Sequence, residues 1–216
     1  MELPINQIIQ GDCLEIMKTF PDKSVDLVLT DPPYGIKMDK GFKGFGKFRG
    51  FGNPIMRRRY EKDNWDSKRP EKVYFDEIQR IAKKVMIFGG NFFADLLPQG
   101  KHWIVWDKLN TMPSFGDCEL IWTNIARNSV KKMIQEYNGL IGKEDWRTHP
   151  TQKPLKLLKK IIVIYSKEND IILDPFLGSG TTAVAAKQLG RKYIGIEINK
   201  HYCDIAKDRL RQEVLF

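Results

Sequence analysis

Short apolar runs punctuate the chain. Residues 24–30, 84–88, 102–106, 119–122, 170–173 and 192–196 are rich in Val, Ile, Leu or Trp and end in turn-forming residues, the pattern of buried strands. Residues 7–10 read as a further strand. Between these runs the period changes. Leu155, Leu158, Ile161 and Ile162 recur at helical spacing behind Pro154, a good first-turn residue. Residues 181–189 are Ala-rich, with Gly190 placed to stop a helix. Asn199 is placed to cap a last helix, with Tyr202, Ile205, Ala206 and Leu210 on one face. Strands alternating with helices predict an open, mostly parallel α/β sheet. The runs around Trp106 and Glu119 leave no room for a crossover helix, so they predict an antiparallel hairpin at one edge. In such sheets ligands bind at the carboxyl ends of the strands, and chemistry is expected in the loops that follow them.

Composition narrows the picture. The 216 residues, 42% hydrophobic and 29% charged, suit one domain spanning residues 1–216. No apolar run approaches the roughly 20 residues that cross a bilayer. The start carries Glu2 and neither a basic stretch nor an apolar one, so no signal peptide is expected and the expected location is cytoplasmic. Cys13, Cys118 and Cys203 lie far apart, and His201 with Cys203 makes too few ligands for zinc. The expectation is a reduced, metal-free protein.

The net charge of +9 is concentrated. Residues 35–69 hold eleven basic and four acidic residues, a net of +7. A polyanionic partner is the natural inference; a solvated loop is the plainer alternative. Phe42, Phe45, Phe48 and Phe51 recur there among Gly, Lys and Arg, too glycine-rich for a helix and wrongly spaced for a strand. A mobile insert that orders on its partner is expected, with Lys43, Lys47, Arg49, Arg57, Arg58 and Arg59 as candidate phosphate contacts.

Two motifs follow strands. Asp31-Pro32-Pro33-Tyr34 closes the run 25–29. The prolines fix φ, lack N–H groups and push the residues before them into extended geometry. The result is a stiff platform of acceptors, the Asp31 carboxylate and the Pro32 carbonyl, beside an aromatic face. An exocyclic aryl amine is a poor nucleophile because its lone pair is delocalised into the ring. Two acceptors gripping its N–H bonds favour a pyramidal nitrogen and stabilise the positive charge that develops on attack, and Tyr34 can stack on a flipped base. The second motif is Asp174-Pro175-Phe176-Leu177-Gly178-Ser179-Gly180-Thr181-Thr182, between a strand and a helix. It lacks the lysine of a phosphate-binding P-loop and the third glycine of the dinucleotide fingerprint. An acid at Asp174 suits a cationic ligand such as S-adenosylmethionine. Glu197, ending the next strand, suits both ribose hydroxyls, with Ile198 beside it.

Together these motifs resemble those of the amino-group DNA methyltransferases, specifically the permuted beta group, in which the catalytic tetrapeptide precedes the cofactor loop. The resemblance covers nearly the whole chain. It implies a Rossmann-like S-adenosylmethionine-dependent methyltransferase fold with permuted motif order, S-adenosylmethionine as cofactor, and double-stranded DNA as partner with its target base flipped out. Gly11-Asp12-Cys13 is similar to the family's early segment near the cofactor adenine, which makes Asp12 and Cys13 cofactor candidates. Phe88-Gly89-Gly90 is similar to a strand end lining both pockets, and Trp65-Asp66 to an element after the catalytic loop. His149-Pro150-Thr151-Gln152-Lys153-Pro154 is similar to the element before the cofactor strand, which implies Thr151 and Lys153 near the methionine end. Asp31 is also expected to line the cofactor side. The composition of the segment after Tyr34 is unusual, and the region 123–148, where target contacts vary in this family, is short.

Adenine N6 is the expected target and cytosine N4 the second reading, because the N4 enzymes more often carry Ser where Asp31 stands. Cytosine C5 chemistry needs a cysteine after proline, which the chain lacks. Methylation of RNA or of a protein amide ranks third. A non-catalytic DNA-binding relative would not need both intact motifs. The broken glycine fingerprint disfavours a nicotinamide dehydrogenase. Recognition sequence, a restriction partner, and monomer versus homodimer stay open.

Overall fold

The computed structural model describes residues 2–36, 68–109, 116–137 and 152–212. Its elements in chain order are β1 (Gln7–Gln10), α1 (Cys13–Met17), β2 (Val25–Thr30), α2 (Lys72–Ile81) and β3 (Ala82–Phe88). A 3-10 turn (Gly90–Phe93), β4 (His102–Asp107), β5 (Cys118–Thr123) and β6 (Val130–Ile134) follow. Then come α3 (Leu155–Tyr165), β7 (Ile171–Asp174), α4 (Thr181–Gln188), β8 (Lys192–Glu197) and α5 (Lys200–Gln212). Every strand expected from the apolar runs forms, as do the three expected helices. Asn199 accepts from the His201 N–H at 2.8 Å, as a capping side chain should.

The strands join one sheet in the order β1-β8-β7-β2-β3-β5-β4-β6, and β5 alone among them runs against the rest. The antiparallel pair β4–β5 is present, from His102 opposite Thr123 to Asp107 opposite Cys118. It is not the edge, which is a correction to the hairpin expectation. β5 is inserted between β3 and β4, and β6 pairs with β4 outside it. Lys131 and Lys132 interrupt β6, and Val130 and Ile134 at its ends are exposed, the composition of a guarded edge strand. β6 falls inside the region 123–148; residues 138–148 of that region lie outside the described residues, as do 37–67 of the basic insert, including Lys43, Lys47, Arg49, Arg57, Arg58 and Arg59.

Side chains alternating along the strands feed a core on each face. In β3, Val85 and Ile87 join α1 and α2 through Met17, Phe75, Ile78 and Ile81. Met86 and Phe88 point the other way and meet α3 at Leu157, Leu158, Ile161 and Ile162. α2 also ties down its neighbour: Arg80 donates to the carbonyls of Met17 at 3.0 Å and Phe20 at 2.9 Å, at and just past the end of α1.

β7 connects through α4 to β8 on one side, while β2 connects through α2 to β3 on the other, so the crevice of this sheet opens between β7 and β2. Asp174, buried at the end of β7, binds both lips. It accepts from Thr30 Oγ1 of β2 at 2.7 Å, from Thr182 Oγ1 of α4 at 2.7 Å and from the Phe176 N–H at 3.1 Å. Burial, only partly offset by those hydrogen bonds, pushes its carboxyl up to about 6 from the ordinary 3.8. Between these two values the folded chain holds more protons than the unfolded one. Asp174 therefore lowers stability as pH rises through that window, by about 3 kcal/mol at most. Asp174→Asn keeps the shape and can still pair with both threonines. Chemical denaturation from pH 4 to 8 should show the variant gaining stability relative to the parent as pH rises to about 6. A difference independent of pH would rule out the buried charge as its cause.

Candidate active site

Five segments converge at the carboxyl edge of the sheet. They are Gly11-Asp12 after β1, Asp31–Tyr34 after β2, Phe88–Phe93 after β3, the Asp174–Thr182 turn after β7 and Glu197 ending β8. β5 adds a sixth. Because it runs backwards, its first residues lie at this same edge, and Glu119 sits opposite Trp106 near the end of β4.

The tetrapeptide is held from several sides. Pro32 is buried; Asp31, Pro33 and Tyr34 are half-buried. The Tyr34 hydroxyl lies 2.5 Å from Asp31 Oδ1 and 2.8 Å from Glu119 Oε1, with one proton to donate between the two. Its ring stacks on Phe92 at 4.6 Å with an interplanar angle of 15° and meets Phe93 edge-on at 5.9 Å. Gly89, at φ +62°, gives the ring its room: a side chain there would collide with the phenol.

Lys153, brought in from before α3, donates to Asp31 Oδ2 at 2.5 Å and lies 3.3 Å from Glu119 Oε1. Lys108 pairs with the other Glu119 oxygen at 3.1 Å. Two carboxylates and two ammoniums thus share a largely buried cluster around one phenol. Burial raises the Asp31 carboxyl above its ordinary range, with Lys153 opposing and the Glu119 charge adding to the rise. Burial acts upward on Glu119 too, but Lys153 and Lys108 outweigh it and hold that carboxyl low. Burial would discharge Lys153; Asp31 and Glu119 overcome this and keep it cationic. Burial, followed by the two carboxylates, pushes the Tyr34 phenol far up, so it stays a neutral donor.

The β7–α4 turn makes the second half. Gly178 donates its N–H to Glu197 Oε2 at 2.8 Å, and nothing lies within 4 Å of where a side chain on it would begin. Gly180, at φ +87°, lies so close to Ala206 of α5 that a β-carbon would meet it at 2.7 Å. Arg209 of α5 braces the turn from behind, donating to the Ser179 carbonyl at 2.6 Å and to Thr181 Oγ1 at 3.0 Å. Ser179, Thr181 and Thr182 are buried, and Pro175 with them. Both oxygens of Asp174 are engaged below the turn, so its pull on a cation would act through charge rather than contact. Glu197 Oε1 accepts from the Asn199 N–H at 2.8 Å, which fixes the carboxylate at the strand end; the adjacent Ile198 is 70% exposed.

Asp12 caps α1 through the Leu14 N–H at 2.8 Å and accepts from the Tyr74 hydroxyl at 3.3 Å. Tyr74 in turn lies 6.3 Å from the Phe176 ring. Cys13 is core: its side chain is buried, and burial, with the Asp12 charge adding, pushes its thiol up to about 12. Thr151 lies outside the described residues. Lys153, expected on the cofactor side, reaches the Asp31 carboxylate. Glu119, Lys108, Phe92 and Tyr74 were not among the expected site residues; an acid in the otherwise apolar run 119–122 was the signal available for Glu119.

These residues suit a ligand with hydroxyl and cationic groups. Among the described residues of the turn there is no lysine or arginine for a phosphate, while acids stand at Glu197, Asp174 and Asp12. No group of three or more metal-ligating side chains occurs among the described residues, and no helix there is long and apolar enough to cross a membrane.

Comparison with known proteins places the chain's family and fold. The model of the N6/N4 DNA methylase family matches residues 101–208. The type II methyltransferase M.HinfI of Haemophilus influenzae is 32% identical over 96% of this chain and 69% of its own length. The structure of M1.HpyAVI with S-adenosylmethionine, 26% identical, superposes with a TM-score of 0.59 over 94% of this chain and 98% of its own. The PvuII cytosine-N4-specific DNA methyltransferase, 16% identical, shares the fold with a TM-score of 0.60 over 94% of this chain and 85% of its own. With its acceptor platform and its glycine turn at one sheet edge, the chain belongs to the N6/N4 DNA methylase family.

Proposed function

We propose that this DNA methyltransferase modifies adenine N6, acting on a base flipped out of the duplex in the cytoplasm. The observation that carries the reading is Asp31, rather than Ser, heading the tetrapeptide at the end of β2, one residue from the Thr30–Asp174 bond that joins it to the cofactor turn. S-adenosylmethionine is the methyl donor, and when bound it supplies an activated methyl group. Glu197 would hold the ribose, Ile198, Phe176 and Asp12 would flank the adenine, and Gly178 lets the backbone approach the ligand. Asp31 and the Pro32 carbonyl accept the N–H bonds of the target amine. The carboxylate then faces the nitrogen as positive charge grows on it. Tyr34 offers a ring for stacking, at present covered on one side by Phe92. Cytosine N4 is the second reading, since both amines meet the same acceptors.

Asp31→Ala should cut methyl transfer by about a hundredfold or more, the scale for losing one preorganised stabilising group. Its affinity for S-adenosylmethionine, by calorimetry, should stay within a few-fold. Glu197→Ala should do the reverse, weakening cofactor binding without changing which base is modified. Unchanged cofactor affinity there would refute the ribose assignment.

Mass spectrometry of digested product DNA should show N6-methyladenine. Exclusive N4-methylcytosine would overturn the choice of base and leave the amine chemistry intact.

The basic segment 35–69 is proposed to add phosphate attraction beside the site, because it leaves directly from Tyr34 and carries +7 of the charge. Replacing Arg57, Arg58 and Arg59 together by Gln should flatten the salt dependence of DNA affinity and spare cofactor affinity. An unchanged salt slope counts against a part for these arginines.

A further inference from the structure

Asp31 is asked to do two things that conflict in the observed geometry. The target amine needs its oxygens, yet Lys153 Nζ already sits 2.5 Å from Oδ2 while the Tyr34 hydroxyl sits 2.5 Å from Oδ1. An ammonium at that distance occupies one lone pair of Oδ2 and narrows the directions from which an amine can reach that oxygen. It also offsets the carboxylate's field where the attacking nitrogen becomes positive, and in a site this buried such offsets are large. Lys153 is held 11% exposed, so solvent offers it no ready alternative.

The protein offers one. Glu119 Oε1 lies 3.3 Å from the same Nζ and also accepts from the Tyr34 hydroxyl at 2.8 Å. Rotation of the last lysine carbons would move the ammonium from one carboxylate to the other without leaving the cluster. Lys108 at 3.1 Å from Oε2 keeps Glu119 ionised and in place to receive it. Phe88 and Tyr34, with rings 5.2 and 5.7 Å from Nζ, line the path and favour a cation along it.

We propose that Glu119 is a positioning residue for methyl transfer: it takes the Lys153 ammonium when the target amine takes Asp31. This rests on Asp31 being the acceptor of the amine. The exchange moves a charge between two carboxylates and breaks no covalent bond. It gives the site a means of matching its field to the substrate, since Asp31 is neutralised by Lys153 until an amine competes for it.

The test is steady-state kinetics on DNA at saturating S-adenosylmethionine, with folding followed by thermal denaturation. Glu119→Gln keeps the shape and removes the charge, leaving Lys153 on Asp31. Its kcat/KM for DNA should fall by roughly ten- to a hundredfold, less than for Asp31→Ala, a loss in transition-state stabilisation rather than in cofactor binding. Glu119→Asp, which keeps the charge, should recover a large part of the loss. The decisive variant adds Lys153→Met to Glu119→Gln. It removes the competitor, restores charge balance, and should recover kcat/KM by about tenfold over Glu119→Gln alone. A purely structural role for Glu119 predicts no such rescue. If Glu119→Gln folds poorly, the charge-balanced double variant still decides, and should retain turnover within roughly tenfold of the parent. Near-parental turnover of Glu119→Gln, or a double variant no better than it, would overturn the proposal. Asp31→Ala measured alongside separates the failures: turnover in that variant sinks the reading of Asp31, whereas its loss with Glu119→Gln unaffected sinks only the exchange.

Discussion

Asp174 receives hydrogen bonds from Thr30, Thr182 and its own turn, and through them one buried carboxylate fixes how the end of β2 stands relative to the start of α4. Catalysis of group transfer demands that donor and acceptor pockets keep a fixed separation, because misplacement by an ångström is costly. Here the spacing between the end of β2 and the start of α4 is set by a strand-end threonine and a helix threonine sharing one acceptor. The turn is then braced from behind by Arg209 and packed against Ala206, so its shape is determined by α5 as much as by its own glycines. The buried charge weakens the fold above its raised pKa, a cost accepted at the point where geometry matters most.

What could be read from the residues was what lies in local pattern. The central strands β2, β3 and β7 announced themselves because they are buried along most of their length and therefore nearly continuously apolar. The tetrapeptide and the glycine turn were legible because the strand they follow shows where they must lie. α2 carries a readable stripe in Phe75, Ile78 and Ile81, yet it directly follows a long basic segment and is not among the expected elements. β6 had no pattern to read, since an edge strand with lysines at its centre lacks both alternation and continuity.

The cluster around Asp31 was legible only in part. Lys153 is suggested by resemblance to a family element, but its bond to Asp31 spans 122 positions of sequence. Glu119 depends on topology alone. Had β5 run parallel to its neighbours, its first residues would lie at the opposite edge of the sheet; reversed, they face the tetrapeptide. A single strand direction thus turns an unremarkable acid into a neighbour of Tyr34 and Lys153, and no local pattern encodes it.

The residues flanking the basic segment meet. A β-carbon on Gly35 would lie 3.0 Å from the backbone nitrogen of Arg69, and Arg69 is clamped by Asp95 and by the Phe92 carbonyl at 3.0 Å. A segment that departs and returns at one anchored point places no geometric demand on the sheet, whatever its length. Doubling it would cost only about 0.6 kcal/mol in closure entropy. The architecture therefore behaves as a socket: the chain between Gly35 and Arg69 can change in length or sequence while the strands beside it keep their places.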